Sequence, residues 1–173
     1  MAEVSRFWGG TVTGDCGPYS NDEYNFIFYT LMGDGKDGAA VAVGYANLLE
    51  VTGVGSPLSV NTGAALVGGI FYENTAVETI DFANASAGNS RIDVVVLRAS
   101  WALQTVRLAL LAGTQTAGTP VATALTQTMG LMYEAPLAHA TINSSGLALL
   151  EDKRVYAQMA TMAKPIIAAM LFG

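Results

Sequence analysis

The sequence has few residues that could carry out chemistry. The chain has one histidine, His139, and one cysteine, Cys16. Zinc sites need several nitrogen or sulfur ligands, so these two residues exclude a multi-histidine or multi-cysteine metal site, and a lone cysteine excludes an internal disulfide. We expect His139 to pack or to form a hydrogen bond at a strand end. The sequence predicts no metal, no cofactor and no catalytic residue.

Carboxylates occur in two groups that could serve an envelope-polysaccharide hydrolase: Glu73, Glu78 and Asp81 form the first, and Glu151 and Asp152 the second. Glycosidases hold two carboxyl groups at a fixed separation. The same residues also suit solvated turns and charge pairs, which is the interpretation we prefer. No Gly-x-Ser-x-Gly elbow or phosphate-binding loop accompanies them, and the glycine-rich loop at residues 33–38 lacks the later oxygen ligands of a calcium loop. We therefore predict that the protein is not an enzyme.

Composition restricts the possible partners. Eight basic and fourteen acidic residues give a net charge of -6, which argues against a surface that follows nucleic-acid phosphates. Charged residues make up only 13% of the chain and hydrophobic residues 51%, whereas typical soluble domains are roughly a quarter charged. Much of the surface must therefore be apolar or buried against partners. A homo-oligomer is the simplest explanation.

Strands are the elements that must position these residues. Residues 91–100 and 104–111 are rich in branched apolar side chains and are separated too closely for a helix, so they predict an antiparallel hairpin. Both faces of its first strand are largely apolar, which predicts a central strand covered on both sides. Further strands are expected at residues 41–49, 58–62, 65–72, 77–82 and 131–141, with a hairpin or bulge at Gly68 and Gly69. Residues 114–127 read as an extended loop lying on an antiparallel β-sandwich that spans residues 39–154.

A short helix is predicted before the sandwich. Ser20 and Glu23 match a capping box, and Phe26, Ile27 and Leu31 follow at helical spacing, so a helix is expected over residues 21–32. Residues 1–38 would then form an N-terminal arm and helix. The aromatic pair at the start of this arm, Phe7 and Trp8, could reach a neighbouring copy.

The last residues, 155–173, form a nearly uncharged apolar tail. Lys164 lies near its middle, and a central lysine costs about 2.5 to 3.5 kcal/mol on membrane insertion, so we predict no membrane span. Apolar residues at three-to-four spacing favour a helical or extended tail that packs between subunits. The candidate interface residues are Phe7, Trp8, Tyr156, Met159, Met162, Ile166, Ile167 and Met170. Trp8 and Trp101 are weaker candidates for contact with a glycan, since Trp101 also suits a core rim.

Several different short motifs follow one another along the chain. They are Phe7-Trp8, Gly14-Asp15, residues 24–31, Asp34-Gly35, residues 58–60 and 63–65, residues 69–74, residues 89–98 with Arg91-Ile92-Asp93, residues 106–114, residues 133–138, Gly146 and residues 151–154. In this order and spacing, over residues 7–154, the chain resembles the N-terminal module of tailed-bacteriophage baseplate and tail-fibre proteins.

The resemblance implies a virion structural protein that folds in the host cytoplasm and joins the tail or baseplate as a trimer or another ring. Its partners would be copies of itself and other tail, baseplate or head proteins. Only 19 residues follow Arg154, where many relatives continue into a fibre or a receptor-binding head, so the expected role is an attachment or scaffold module. Two alternatives stay open: a module that binds host-surface glycans and, less favoured, the polysaccharide hydrolase.

Overall fold

The computed structural model describes residues 38–157, which form eleven β-strands and no helix. The strands are β1 (Ala39–Val41), β2 (Val51–Thr52), β3 (Leu58–Val60), β4 (Gly63–Val67), β5 (Ile70–Asn74), β6 (Glu78–Ile80), β7 (Ser90–Ser100), β8 (Thr105–Leu111), β9 (Gln127–Thr128), β10 (Met132–Asn143) and β11 (Gly146–Asp152). This confirms the mainly β prediction. The predicted helix at residues 21–32, and residues 158–173 of the predicted tail, lie outside the described residues.

Three antiparallel sheets share one core. The long sheet has the order β11-β10-β7-β8, with β9 beside the start of β10. The short sheet has the order β1-β4-β5, and the small sheet β2-β3-β6. Buried side chains from β1, β3, β4, β7 and β10 belong to a single hydrophobic cluster. The long and short sheets therefore pack through a common core, as a sandwich requires. The small sheet is an addition to these two layers.

Strand β7 is the centre of the long sheet. Its consecutive residues Val94, Val95, Val96 and Leu97 are all 0% exposed, which confirms the prediction of a strand covered on both faces. Val95 and Leu97 belong to the main core cluster. Successive side chains alternate between the two faces of a strand, so Val94 and Val96 point to the opposite face.

A long connection covers that opposite face. Residues 112–126, here called the crossing segment, pair through Thr116 with Ser90 at one edge of β7. At its other end, the carbonyl of Thr126 accepts a hydrogen bond of 2.8 Å from the amide of Glu134, on β10. Since β9 continues from there along the outer edge of β10, the segment must pass over the sheet. This agrees with the predicted extended loop.

The strand predicted at residues 41–49 is wrong beyond Val41. The chain leaves β1 and turns, and Ala46, Leu48 and Leu49 have φ values of 49°, 58° and 56°, a left-handed conformation that side chains other than glycine rarely adopt. The turn buries Leu49 completely and directs its amide to the carbonyl of Thr62 at 3.2 Å. The apolar composition of this stretch favoured a strand, but the burial of Leu49 favours the turn that is observed.

Of the two alternatives predicted at Gly68 and Gly69, a hairpin or a bulge, the structure has the hairpin, since β4 and β5 pair directly across these two residues. Strand β11 was not predicted, and its two final acidic residues were assigned to solvated turns and charge pairs. Glu151 and Asp152 instead pair with His139 and Ala138 of β10. The charges belong to an edge strand, where they can reach solvent.

Candidate functional site

Arg91 and Asp93 form a buried ion pair within β7. The Nε of Arg91 lies 2.8 Å from the Asp93 carboxylate, and the side chains are 8% and 0% exposed. Arg91 Nη2 also donates to the carbonyl of Ala83 at 2.5 Å, and the amide of Gly113 donates to Asp93 Oδ1 at 2.8 Å. The pair therefore joins the central strand to two connections. This arrangement holds parts of the fold together.

A second ion pair links β7 to β10. Arg98 and Glu134 are register partners, and Arg98 Nη2 lies 2.8 Å from Glu134 Oε1. The other carboxylate oxygen accepts a hydrogen bond of 2.7 Å from the amide of Thr126. Glu134 is buried and thus fastens the end of the crossing segment to the sheet.

The start of the predicted tail extends the short sheet. Val41 and Tyr156 form a parallel bridge, in which the Val41 amide donates to the Val155 carbonyl at 2.7 Å and the Ala157 amide donates to the Val41 carbonyl at 2.8 Å. Val155 and Tyr156 are exposed at the same time. Tyr156, one of the predicted interface residues, therefore lies on an accessible sheet edge. We call β1 with residues 155–157 the tail edge.

Arg154 fixes this edge in place. It pairs with Asp152 at 2.6 Å, donates to the Leu48 carbonyl at 3.0 Å and lies 5.4 Å from the centre of the Tyr156 ring. The side-chain hydrogen bond from Arg154 lowers the pKa of Asp152 from 3.8 to about 2, although burial opposes this. The pair therefore favours the folded state above pH 3.8, and that contribution is lost as pH falls towards 2.

An apolar cavity of about 150 Å³ lies beside the tail edge. Its lining includes all three residues of β1, two residues of β4, the stretch Ala135–Leu137 of β10, and Val155. No charged side chain takes part in this lining. The space can accept apolar groups.

Trp101 lies at the rim of the core. It is half-buried and packs against the core cluster, and a Cβ placed on Gly68 would approach its ring to 2.6 Å. Part of the six-membered ring of the indole therefore lies against the β4–β5 turn. The second glycan candidate, Trp8, lies outside the described residues, as do Phe7, Met159, Met162, Ile166, Ile167 and Met170.

A polar cleft of about 450 Å³ brings together some of the predicted carboxylates. Glu73 and Glu78 line it with Tyr72 and Arg107, whereas Asp81 is not among its lining residues. Glu73 accepts a hydrogen bond from the hydroxyl of Tyr45. Burial raises the pKa of Tyr72, with Glu78 adding to this effect and Arg107 opposing it. The cleft can hold a polar ligand, but one of its two carboxylates is already engaged.

His139 lies within β10 and not at a strand end, so that part of the prediction is wrong. It is opposite Val94 on one side and Glu151 on the other. Burial lowers its pKa, as does the charge of Lys153, while Glu151 opposes them. Among residues 38–157, no group of histidine, cysteine and carboxylate side chains is arranged to hold a metal ion. The same part of the chain has no helix long and apolar enough to cross a membrane.

Arg154 and Asp152 were not predicted from the sequence to fasten the tail edge. A signal was present, because residues two apart on a strand share a face, and opposite charges at that spacing can pair. Glu151 and Asp152 do act as charge partners, as predicted, the first with Lys153 and the second with Arg154. Only the contact with the carbonyl of Leu48, which is far away in the sequence, could not be foreseen.

Comparison with known proteins gives one structural neighbour. No family model matches the chain, and no curated protein sequence matches it. Among solved structures, the chain is similar to the crystal structure of the gene 22 product of the Bacillus subtilis SPP1 phage, with a TM-score of 0.43 and 10% sequence identity. The likeness covers 72% of this chain and 91% of that one.

Proposed function

We propose that this chain is a non-enzymatic structural protein of a bacteriophage virion, located in the tail, the baseplate or a fibre. Identical copies assemble into a homo-oligomer, most simply a trimer. The assembly attaches or scaffolds other tail, baseplate or head proteins, and its action is binding without chemistry. The chain folds in the host cytoplasm before it joins the particle.

The positions of the resembling motifs support this proposal. The Arg91-Ile92-Asp93 run lies in the central strand β7 and contains the buried ion pair. Gly63 begins β4, at a close approach to the turn that buries Leu49. The motif residues near the end of the described chain include Arg154, which fastens the tail edge. The motif residues in the described part of the chain thus hold the fold together.

The tail edge is the observation that carries the oligomer proposal. Residues 155–157 lie along the outer side of β1, joined to it by a single parallel bridge, and the apolar tail follows directly from there in the sequence. An outer strand exposes unpaired backbone groups to which another chain can add. The described residues also expose twelve large apolar side chains, Val155 and Tyr156 among them. Burial between identical copies would remove such surface from water.

Light scattering on two forms of the chain tests the proposal. We expect the full chain to be a trimer or larger, and a chain ending at Ala157 to be a smaller species. This cut keeps the pairing of residues 155–157 with β1, so the described fold should persist, which circular dichroism can check. A full-length chain that behaves as a monodisperse monomer would contradict the proposal.

A matched pair of single variants tests whether assembly needs the apolar face of the tail and not only the presence of the tail. Met162→Asp places a charge on the face predicted to pack between copies and should weaken the oligomer. Thr161→Asp places the same charge roughly on the opposite side of a helix and should leave the assembly intact. Equal effects of the two variants would remove the support for a helical interface.

Glycan binding remains the alternative function. Within the described residues it depends less on Trp101, whose ring lies partly against Gly68, than on the polar cleft. There, Tyr72, Glu78 and Arg107 combine an aromatic ring with hydrogen-bonding groups of both kinds.

A further inference from the structure

An exposed apolar surface lies at one end of the long sheet. Leu103, in the β7–β8 turn, is 74% exposed, and Met129 and Leu131, between β9 and β10, are 52% and 69% exposed. Trp101 joins them, because its amide donates to the carbonyl of Leu131 at 3.1 Å. We call Trp101, Leu103, Met129 and Leu131 the apolar tip. Exposed apolar side chains gathered at one place mark a surface that binds another element.

The N-terminal segment enters the described fold at this tip. The amide of Gly68 donates to the carbonyl of Gly38 at 2.5 Å, and a Cβ placed on Gly68 would lie 2.6 Å from Trp101 and 3.4 Å from the sulfur of Met129. Gly38 is therefore a direct neighbour of the residue on which Trp101 and Met129 pack. The 37 residues before it start from the apolar tip.

The C-terminal segment leaves in the other direction. β1 runs away from Gly38, and residues 155–157 run parallel to it. The chain after Ala157 therefore continues from the far end of β1, roughly 14 Å from Gly38 for strands of ordinary spacing and rise. Of the two segments outside the described residues, the N-terminal one is placed to reach the tip directly.

We propose that residues 21–32 of the same chain pack across the apolar tip. These residues carry the capping box and the apolar side chains Phe26, Ile27 and Leu31 at helical spacing. A helix of this length is about 18 Å long, and the chain from Met32 to Gly38 spans up to about 20 Å. The helix can therefore lie over the tip without strain in its connection. Its apolar face removes Leu103, Met129 and Leu131 from water.

Thiol labelling tests this docking. In a Cys16→Ser background, Leu131→Cys places a reactive group on the tip, and Leu149→Cys places one on β11, where the native side chain is 53% exposed. Covering by residues 21–32 should make Cys at 131 react about tenfold more slowly than Cys at 149. Adding Ile27→Asp should remove this protection, whereas Asn25→Asp, which adds the same charge on the other side of the predicted helix, should not.

Two further measurements identify the occupant. Protection that persists on dilution and in the chain ending at Ala157 supports docking of the chain's own segment, whatever the oligomeric state. Protection that is lost on dilution or on truncation would overturn the proposal, because a second copy would then cover the tip. Equal labelling rates at positions 131 and 149 in the full chain would overturn it as well. Circular dichroism on each variant confirms that the sheets are intact.

Discussion

Arg91 and Asp93 show how single charges act in a chain that has few of them. Their ion pair is almost completely buried, and the carboxylate has three hydrogen bonds from Arg91 and Gly113. Taking two charges out of water is costly, and only close pairing with further hydrogen bonds compensates for it. At the residue scale these charges specify where β7 meets its neighbouring connections. Glu134 does the same for the crossing segment.

Asp93→Asn should destabilise the fold strongly. The substitution keeps the shape of the side chain but leaves the guanidinium of Arg91 buried without its counter-charge, which typically costs about 3 to 5 kcal/mol. Urea denaturation would measure the change in the free energy of unfolding. As a control, Glu151→Gln breaks the exposed pair with Lys153 and should cost less than about 1 kcal/mol. A similar small cost for Asp93→Asn would show that the buried pair is not needed.

At the scale of elements, turns determine how the short and small sheets join the core. The turn at residues 42–50 holds three non-glycine residues at positive φ, a conformation that is maintained only by the surrounding contacts. Thr62 supplies two of these, because its carbonyl accepts hydrogen bonds from the amides of Asn47 and Leu49. Gly63 leaves space for this turn, because it has no side chain. A Cβ at position 63 would lie 2.4 Å from the backbone nitrogen of Leu49.

Gly63→Ala should therefore destabilise the protein by about 1 to 3 kcal/mol, the usual cost of overpacking. The contact is with backbone, so a change of side-chain rotamer cannot relieve it. Thermal or urea unfolding followed by circular dichroism would measure the loss. Gly55→Ala is the matched control, because a Cβ there meets nothing within 4 Å. If both variants unfold like the parent chain, the turn does not dock on β4 as described.

At the scale of the whole molecule, the pairing of β7 with β10 dominates. The register runs from Ser90 opposite Asn143 to Ser100 opposite Met132, with one irregularity near Pro136. This pairing joins residues far apart in sequence and is covered by the crossing segment on one face and by the main core on the other. Two of the edge strands are much shorter: β2 and β9 have two residues each. Local stability should follow this difference, since amides in the most buried strands open only with global unfolding.

Hydrogen exchange should therefore be slowest in β7 and β10. We expect the amides of residues 94–97 to be among the last to exchange, because their side chains are 0% exposed and both neighbouring strands are in place. Amides of Val51 and Thr52 in β2 should exchange early. Exchange measured by NMR would resolve these positions. Comparable protection in β2 and β7 would contradict a core centred on β7.

The amino-acid pattern by itself determined the strands whose positions follow from the local sequence. The strand Thr105–Leu111 was predicted to within one residue of its observed start, Gly68 and Gly69 predicted a hairpin or a bulge because they interrupt an apolar strand, and the apolar run of β7 predicted burial on both faces. These features depend on local propensity and on the alternation of side chains, which the sequence displays directly.

Only the tertiary structure decided the features that depend on contacts between distant residues. The turn that buries Leu49 requires the space at Gly63, β11 requires β10 as its partner, and the tail edge requires Arg154 to meet the carbonyl of Leu48. The same holds for the apolar tip, whose parts come from separate turns. Apolar composition predicted that surface would be buried against something, but the position of Gly38 beside Gly68 is what indicates which segment can cover it, because the chain enters there.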